Sequence, residues 1–287
     1  MYIKHFGLAQ YPFSLTPNTR YFLKLPSHQR AFDSIVMVLQ DDGHIAKITG
    51  EVGTGKTMLC RKVLNALEVL KDRYLTAFIP NPVLSEEGIM RALADELNIT
   101  VDPETNYYGV LKLITEKLLE LSAKQKSVVL FIDEAQAMPE ETLEAIRLLT
   151  TIEQDPEIGA RLQVVLFGQP ELDQLLERPL LRELNKDISL SYQLTALDRD
   201  GVKAYLNHRL IKAGYNGSDM FTDKAIELIF KGSGGIPRLI NILAHKTLMV
   251  GFGKGAQTLT DKHVEEAVKD TEAAQQQKSI TEKLFPN

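Results

Sequence analysis

The chain has 287 residues, 44% hydrophobic and 25% charged, and 33 Lys and Arg against 38 Asp and Glu give a formal net charge of −5. That length supports one large domain or two modest ones, and the acidic balance argues against broad, nonspecific binding of nucleic acid. The single cysteine, Cys60, excludes an internal disulfide and fits a reducing compartment. Met1–Gln10 lacks the apolar run of a secretory signal, and nothing approaches the roughly 20 apolar residues of a spanning helix.

Residues 1–43 open with turn-rich, aromatic text (Phe6, Gly7, Tyr11, Pro12, Phe13, Pro17), then a helical pattern over Ser27–Gln40 with Ser27 as N-cap. From there strands and helices alternate. Strands are predicted at His44–Thr49, Tyr74–Ile79, Ser127–Asp133, Leu162–Phe167 and Ile188–Gln193. Helices are predicted at Lys56–Lys71, Ser85–Leu97, Tyr107–Leu121 and Glu140–Ile152. That alternation indicates an α/β domain, a parallel sheet flanked by helices. After Leu194 the pattern changes to four helices, over 198–213, 222–231, 237–250 and 261–270, with no strand between them. The expected organisation is therefore an N-terminal segment packing on the core (1–43), an α/β core (44–195), a small all-helical domain (196–270) and a mobile tail (271–287).

Gly50-Glu51-Val52-Gly53-Thr54-Gly55-Lys56-Thr57 fits G-x-x-x-x-G-K-[ST] and follows directly on a predicted strand. Such a loop turns backbone N–H groups inward around a phosphate, and glycines permit the dihedrals that this requires. Lys56 would bridge the β- and γ-phosphates of ATP, the Thr57 hydroxyl would hold Mg²⁺, and the helix opening here, with Met58 in its first turn, adds its dipole.

Val128–Ile132 is an apolar strand ending in Asp133-Glu134. Two carboxylates at the carboxyl end of a buried parallel strand suit Mg²⁺ held through water by Asp133 and an attacking water polarised by Glu134. The doublet favours ATP hydrolysis to ADP over phosphotransfer or a GTP switch. Gln169 follows a predicted strand; it either reaches the γ-phosphate or attacking water, or belongs to a Gly168-Gln169-Pro170 turn that stops the strand. In Gly234-Gly235-Ile236-Pro237-Arg238 the glycines close one helix and Pro237 opens the next. Arg238 then opposes the helix dipole, which a nucleotide phosphate would offset. Cys60 reads as a small core residue, and His28 as a solvated histidine at a helix start.

With these residues assembled, the chain resembles the AAA+ ATPases of the ExeA/GspA secretion family, and within it the branch serving MSHA pilus biogenesis. The resemblance spans roughly residues 1–270 and is carried by five phrases. These are Phe6-Gly7-Leu8 … Pro12-Phe13-Ser14-Leu15-Thr16-Pro17, the loop at 50–57, Ile132-Asp133-Glu134-Ala135-Gln136, Gly168-Gln169-Pro170-Glu171-Leu172 and Gly235-Ile236-Pro237-Arg238-Leu239-Ile240-Asn241. It implies a cytoplasmic ATPase, peripheral at the inner membrane through pilus or secretion proteins, assembling into a nucleotide-dependent homo-oligomer. It also implies phosphate-sensing roles for Gln169 and Arg238, and a site near the adenine for His28. Relatives place a second Arg in the phrase that reads here Leu181-Arg182-Glu183-Leu184-Asn185-Lys186-Asp187-Ile188, where Asp187 replaces it. If that Arg acts in trans as a finger, Arg182, Lys186 or Arg178 must substitute and hydrolysis is feeble. Two other functions fit the same core: a DNA-acting regulator of transposition or initiation type, with Lys203, Arg209 and Lys212 as a basic stripe, and a nucleotide-gated scaffold.

Overall fold

A computed structural model describes residues 2–16, 18–23, 25–41, 43–151 and 162–275. In chain order its regular elements are α1 (Tyr2–His5), α2 (Pro26–Gln40), β1 (Ile45–Gly50), α3 (Lys56–Glu68), β2 (Tyr74–Ile79), α4 (Glu86–Glu96), α5 (Tyr107–Ala123), β3 (Ser127–Ile132) and α6 (Glu140–Thr150). They continue with β4 (Leu162–Gly168), α7 (Glu171–Leu176), α8 (Arg182–Asp187), β5 (Ile188–Leu194), α9 (Arg199–Lys212), α10 (Asp223–Ser233), α11 (Pro237–Gly253) and α12 (Asp261–Lys269). Two compact units result: Pro26–Glu51 with Leu59–Leu194, and Met1–Leu25 with Val52–Met58 and Thr195–Asn287.

The first unit is a five-stranded, all-parallel sheet in the order β2-β3-β4-β1-β5. Strands β1 and β4 are buried at every position, as expected for strands covered on both faces, whereas the edge strand β5 alternates half-buried with exposed residues. Val128, Leu130 and Ile132 join one apolar cluster with residues of α4, α5 and α6, and the intervening Val129 and Phe131 point to the opposite face. Helix boundaries follow local chemistry: Ser85 and Asn106 cap α4 and α5 by accepting from Gly88 and Gly109 N–H.

Helix α2 begins at Pro26, so Ser27 lies inside the first turn and is not its N-cap; proline, with no N–H to satisfy, suits the opening position. Ile152, the predicted end of α6, and residues 276–287 of the predicted tail lie outside the described residues. Helices α7 and α8 are short and were not predicted.

The second unit is helical. Tyr2, Phe6, Leu8, Phe13 and Leu25 share one apolar cluster with Leu197, Val202, Leu206, Ile226, Ile240, Leu248 and Val264. Tyr2, Phe6, Leu8, Phe13 and Leu25 are therefore part of the helical unit's core, and the opening 43 residues divide at Leu25 and Pro26. Arg209, 6% exposed, fastens that segment: its guanidinium donates to Pro12 O at 2.6 Å, Ser14 O at 3.1 Å and Tyr205 Oη at 2.7 Å, with the Tyr21 ring 4.8 Å away. No helix among the described residues is long and apolar enough to cross a membrane.

Candidate functional site

Parallel pairing brings the carboxyl ends of β3, β4 and β1 to one edge of the sheet, where ligands sit in open α/β folds. Asp133 follows β3, is 4% exposed, and donates its N–H to Ile79 O at 3.1 Å, which extends the β2–β3 ladder to its last step. Glu134 then adopts a left-handed backbone (φ 55°, ψ 37°), a conformation that a non-glycine residue keeps only when its surroundings hold it.

The surroundings include two glutamines. Glu134 Oε2 accepts from Gln136 Nε2 at 2.7 Å and from Gln169 Nε2 at 3.0 Å. Gln136 Oε1 in turn accepts the backbone N–H of Gln169 at 3.0 Å, closing a ring of three hydrogen bonds. Gln169 thus reaches Glu134 from the end of β4. Gln136, carried by a single 3-10 turn over Ala135–Ala137, was given no role by the sequence, where only its place two residues after the doublet marked it. Lys47 of β1, 8% exposed, donates to Asp173 Oδ1 of α7 at 2.5 Å.

The loop at 50–57 is shaped by backbone. Gly53 (φ +87°) and Gly55 (φ +104°) hold conformations open to glycine, and Thr54 and Lys56 are buried as the 13-residue helix α3 begins. Arg238 donates its backbone N–H to Gly53 O at 3.2 Å. A Cβ on Gly53 would lie 2.6 Å from Arg238 Cβ, so glycine is needed there for space as well as for φ. The approach of α11 is fixed by Gly235 (φ +74°), whose position leaves no room for a Cβ, 2.0 Å from Leu197 O, and whose carbonyl accepts from Leu197 N–H at 2.9 Å. Pro237 opens α11 and Arg238 is exposed on its first turn, its N–H satisfied by the loop instead of by a side-chain cap. Inward-turned backbone at the start of a helix, beside an exposed guanidinium, fits a phosphate group.

Asp187 accepts from Arg147 Nη1 at 3.4 Å, and Arg147 also grips Glu144 through Nε and Nη2 at 2.9 and 2.7 Å. Glu144, first, with Asp187, holds the Arg147 guanidinium above the ordinary arginine range against the opposing effect of burial. Arg178 pairs with Glu140 at 2.5 Å and Lys186 with Glu183 at 2.8 Å, while Arg182 is exposed with no ion-pair partner among the described residues.

Two expectations are corrected. His28 is 5% exposed, not solvated, because it lies on the buried stripe His28, Ala31, Ile35, Leu39 of α2. The basic stripe does not form: Arg209 is turned inward and Lys203 is tied to Asp223 at 2.9 Å. Cys60 is buried, and burial, followed by the Asp133 carboxylate, pushes its thiol well above the usual range.

Residues 40–176 match the AAA domain family. General secretion pathway protein A of Aeromonas hydrophila is 40% identical over 260 residues, which is 90% of this chain and 46% of that protein, so the chain spans about half the length of this curated relative. Among solved structures, the Aeropyrum pernix ORC2 protein aligns with a TM-score of 0.66 at 17% identity, over 92% of this chain and 72% of that one. Cdc6p from Pyrobaculum aerophilum aligns with a TM-score of 0.67 at 17% identity, over 90% and 70%. The Thermotoga maritima RuvB branch migration motor aligns at 0.55 and 18%, over 91% and 73%. The fold is that of the AAA+ P-loop proteins, residues 40–176 are similar to the AAA domain family, and 90% of the chain is similar to part of General secretion pathway protein A.

Proposed function

We propose that the protein is an ATPase that couples ATP binding and hydrolysis to assembly of an inner-membrane secretion apparatus or type IV, MSHA-like pilus. The observation that carries the ATPase reading is Glu134, held in a left-handed backbone at the carboxyl edge of the sheet with its carboxylate oriented by two amide donors. Similarity to General secretion pathway protein A supports the secretion reading.

Gly50, Glu51, Val52, Gly53, Thr54, Gly55, Lys56, Thr57 and Met58 would bind ATP or ADP, with Thr57 and Asp133 holding Mg²⁺. When bound, ATP with Mg²⁺ supplies an activated γ-phosphoryl whose charge the cation neutralises. Glu134 orients and deprotonates the attacking water, Gln169 fixes that carboxylate, and Arg238 offers its guanidinium to the phosphates. In the proposed domain arrangement the core spans 44–195 and a helical lid 196–270. Sites of this type form between subunits, so ATP promotes self-association, and Arg182 is the finger offered to the neighbour. The protein acts on the cytoplasmic side, held at the inner membrane by its partners. The loss of the basic stripe weakens the DNA-acting alternative.

ATP affinity and turnover are measured in the parent, Lys56→Ala and Glu134→Gln, with duplex DNA at low salt or with membranes carrying the secretion or pilus components. Lys56→Ala is expected to lose binding, and Glu134→Gln to bind ATP while hydrolysing it at least about a hundredfold more slowly. Membranes stimulate the parent. Glu134→Gln turning over at the parent rate rejects the catalytic assignment, and salt-sensitive stimulation by DNA alone rejects the secretion reading.

A further inference from the structure

Gln136 spends both ends of its amide on the two residues given the hydrolytic roles, which is a demanding arrangement for a side chain two positions from the doublet. Its Nε2 donates to Glu134 Oε2 at 2.7 Å and its Oε1 accepts from Gln169 N–H at 3.0 Å. The orientation of the amide is fixed by chemistry, since only a donor can face a carboxylate and only an acceptor can face an N–H. A Cβ added to Gly168 would meet Leu172 at 2.7 Å and come within 3.3 Å of Gln136 Oε1, so the end of β4 is closely packed against both.

We propose that Gln136 is a positioning residue: it locks the Glu134 carboxylate to the end of β4, so that Glu134 and Gln169 act as one unit. The inference rests on the ATPase reading above. The ring acts on a backbone that needs holding, because the left-handed Glu134 lies in a sparsely populated region that relaxes when its restraints are removed. Two donors on Oε2 also hold the orientation of the carboxylate, which sets the face presented to a reacting water. Neither Gln136 bond reaches the phosphate loop, so its loss is felt in the chemical step and not in nucleotide binding.

The test uses Gln136→Met, which keeps the length and removes both bonds, and Gln136→Glu, which keeps the acceptor toward Gln169 and replaces the donor. In the nucleotide-free protein, Gln136→Met is expected to lower the hydrogen-exchange protection of the Gln169 amide at least about tenfold, leaving Val164 and Val165 in β4 unchanged. With ATP and Mg²⁺, kcat falls at least about tenfold in Gln136→Met while the nucleotide Kd stays within about twofold. A double-mutant cycle with Gln169→Leu is non-additive, the double variant being no slower than the slower single variant, because either change opens the ring. Gln136→Glu keeps the Gln169 amide protected yet loses turnover, separating the two bonds. Unchanged exchange at Gln169, equal loss of Kd and kcat, or additive effects overturns the inference. Should Gln136→Met fail to fold, Gln136→Glu decides alone: turnover at the parent rate overturns the proposal. Glu134→Gln hydrolysing normally would instead bring down the ATPase reading itself.

Discussion

The two candidate clusters are built from different materials. The phosphate loop and its neighbour α11 are set by backbone: positive φ at Gly53, Gly55 and Gly235, and main-chain bonds from Arg238 to Gly53 and from Leu197 to Gly235. The carboxylate cluster is set by side chains: Glu134, Gln136 and Gln169 in a ring, and Lys47 paired with Asp173 in the same unit. A backbone-built frame keeps its shape when a side chain such as that of Arg238 is truncated, and fails when a glycine acquires a Cβ. A side-chain-built site behaves the other way, since removing one member releases the rest.

The largest effect that would break this contrast belongs to Gly235. A Cβ there would lie 2.0 Å from Leu197 O at φ +74°, so Gly235→Ala is expected to cost about 3 kcal/mol, seen as a melting temperature lower by about 10 °C. A loss below about 1 kcal/mol would mean that α11 is not held by this approach. Next come Gly53→Ala and Arg238→Ala, compared by ATP titration. The first forces a strained φ and a 2.6 Å clash, weakening affinity about thirtyfold; the second keeps the Gly53 bond and weakens it about tenfold or less, with melting unchanged. Reversal of that order would make the guanidinium, and not the backbone, the determinant.

The side-chain part is sharpened by Asp173→Ala. Removing Asp173 leaves the Lys47 ammonium buried in β1; because the Asp173 side chain is 43% exposed and water can reach the pair, the expected cost is about 1 kcal/mol. Lys47→Met with Asp173→Leu should restore most of it, measured by urea unfolding, and a double variant weaker than Asp173→Ala alone would show that the pair does more than neutralise a buried charge.

The smallest effect is on pH. Burial lowers the pKa of His245, and burial followed by the Lys212 and Arg209 charges lowers that of His208. The unfolded chain therefore binds more protons, so their stabilising contribution is present above the unfolded histidine range and declines as pH falls through about 6.5 toward 5. His245→Phe, read by melting at pH 7 and 5, should flatten part of that slope; an unchanged slope would remove His245 from it.

These materials explain what could be read from sequence. Glycines at special dihedrals leave a pattern, and so the loop at 50–57 and the Gly-Gly-Ile-Pro-Arg turn were legible, as were the five apolar strands and four late helices. Side-chain rings leave none. Gln136 has no periodicity or composition to mark it, and its value arises only when β3 and β4 bring residues 134 and 169 together. His28 was misjudged because a polar residue on an apolar stripe looks like a boundary, and Arg209 because a cation on a helix looks solvated until its carbonyl partners, 195 and 197 residues away, fold over it. The short helices α7 and α8, six residues each, lack the turns needed to show a period.

The clamp of Arg209 on Pro12 and Ser14 also orders events in time. Residues 26–51 and 59–194 lie in sequence between segments of the helical unit, so Pro12 and Ser14 are synthesised well before the Arg209 that holds them. At about 5–20 residues per second that interval is on the order of ten seconds, during which Phe6, Phe13 and Leu25 are without the cluster that buries them. The sheet unit, whose sequence is complete first, has time to form ahead of the helical one. A nascent chain stalled before Arg209 emerges would carry Phe6 and Phe13 uncovered, residues on which a chaperone that binds apolar segments would act.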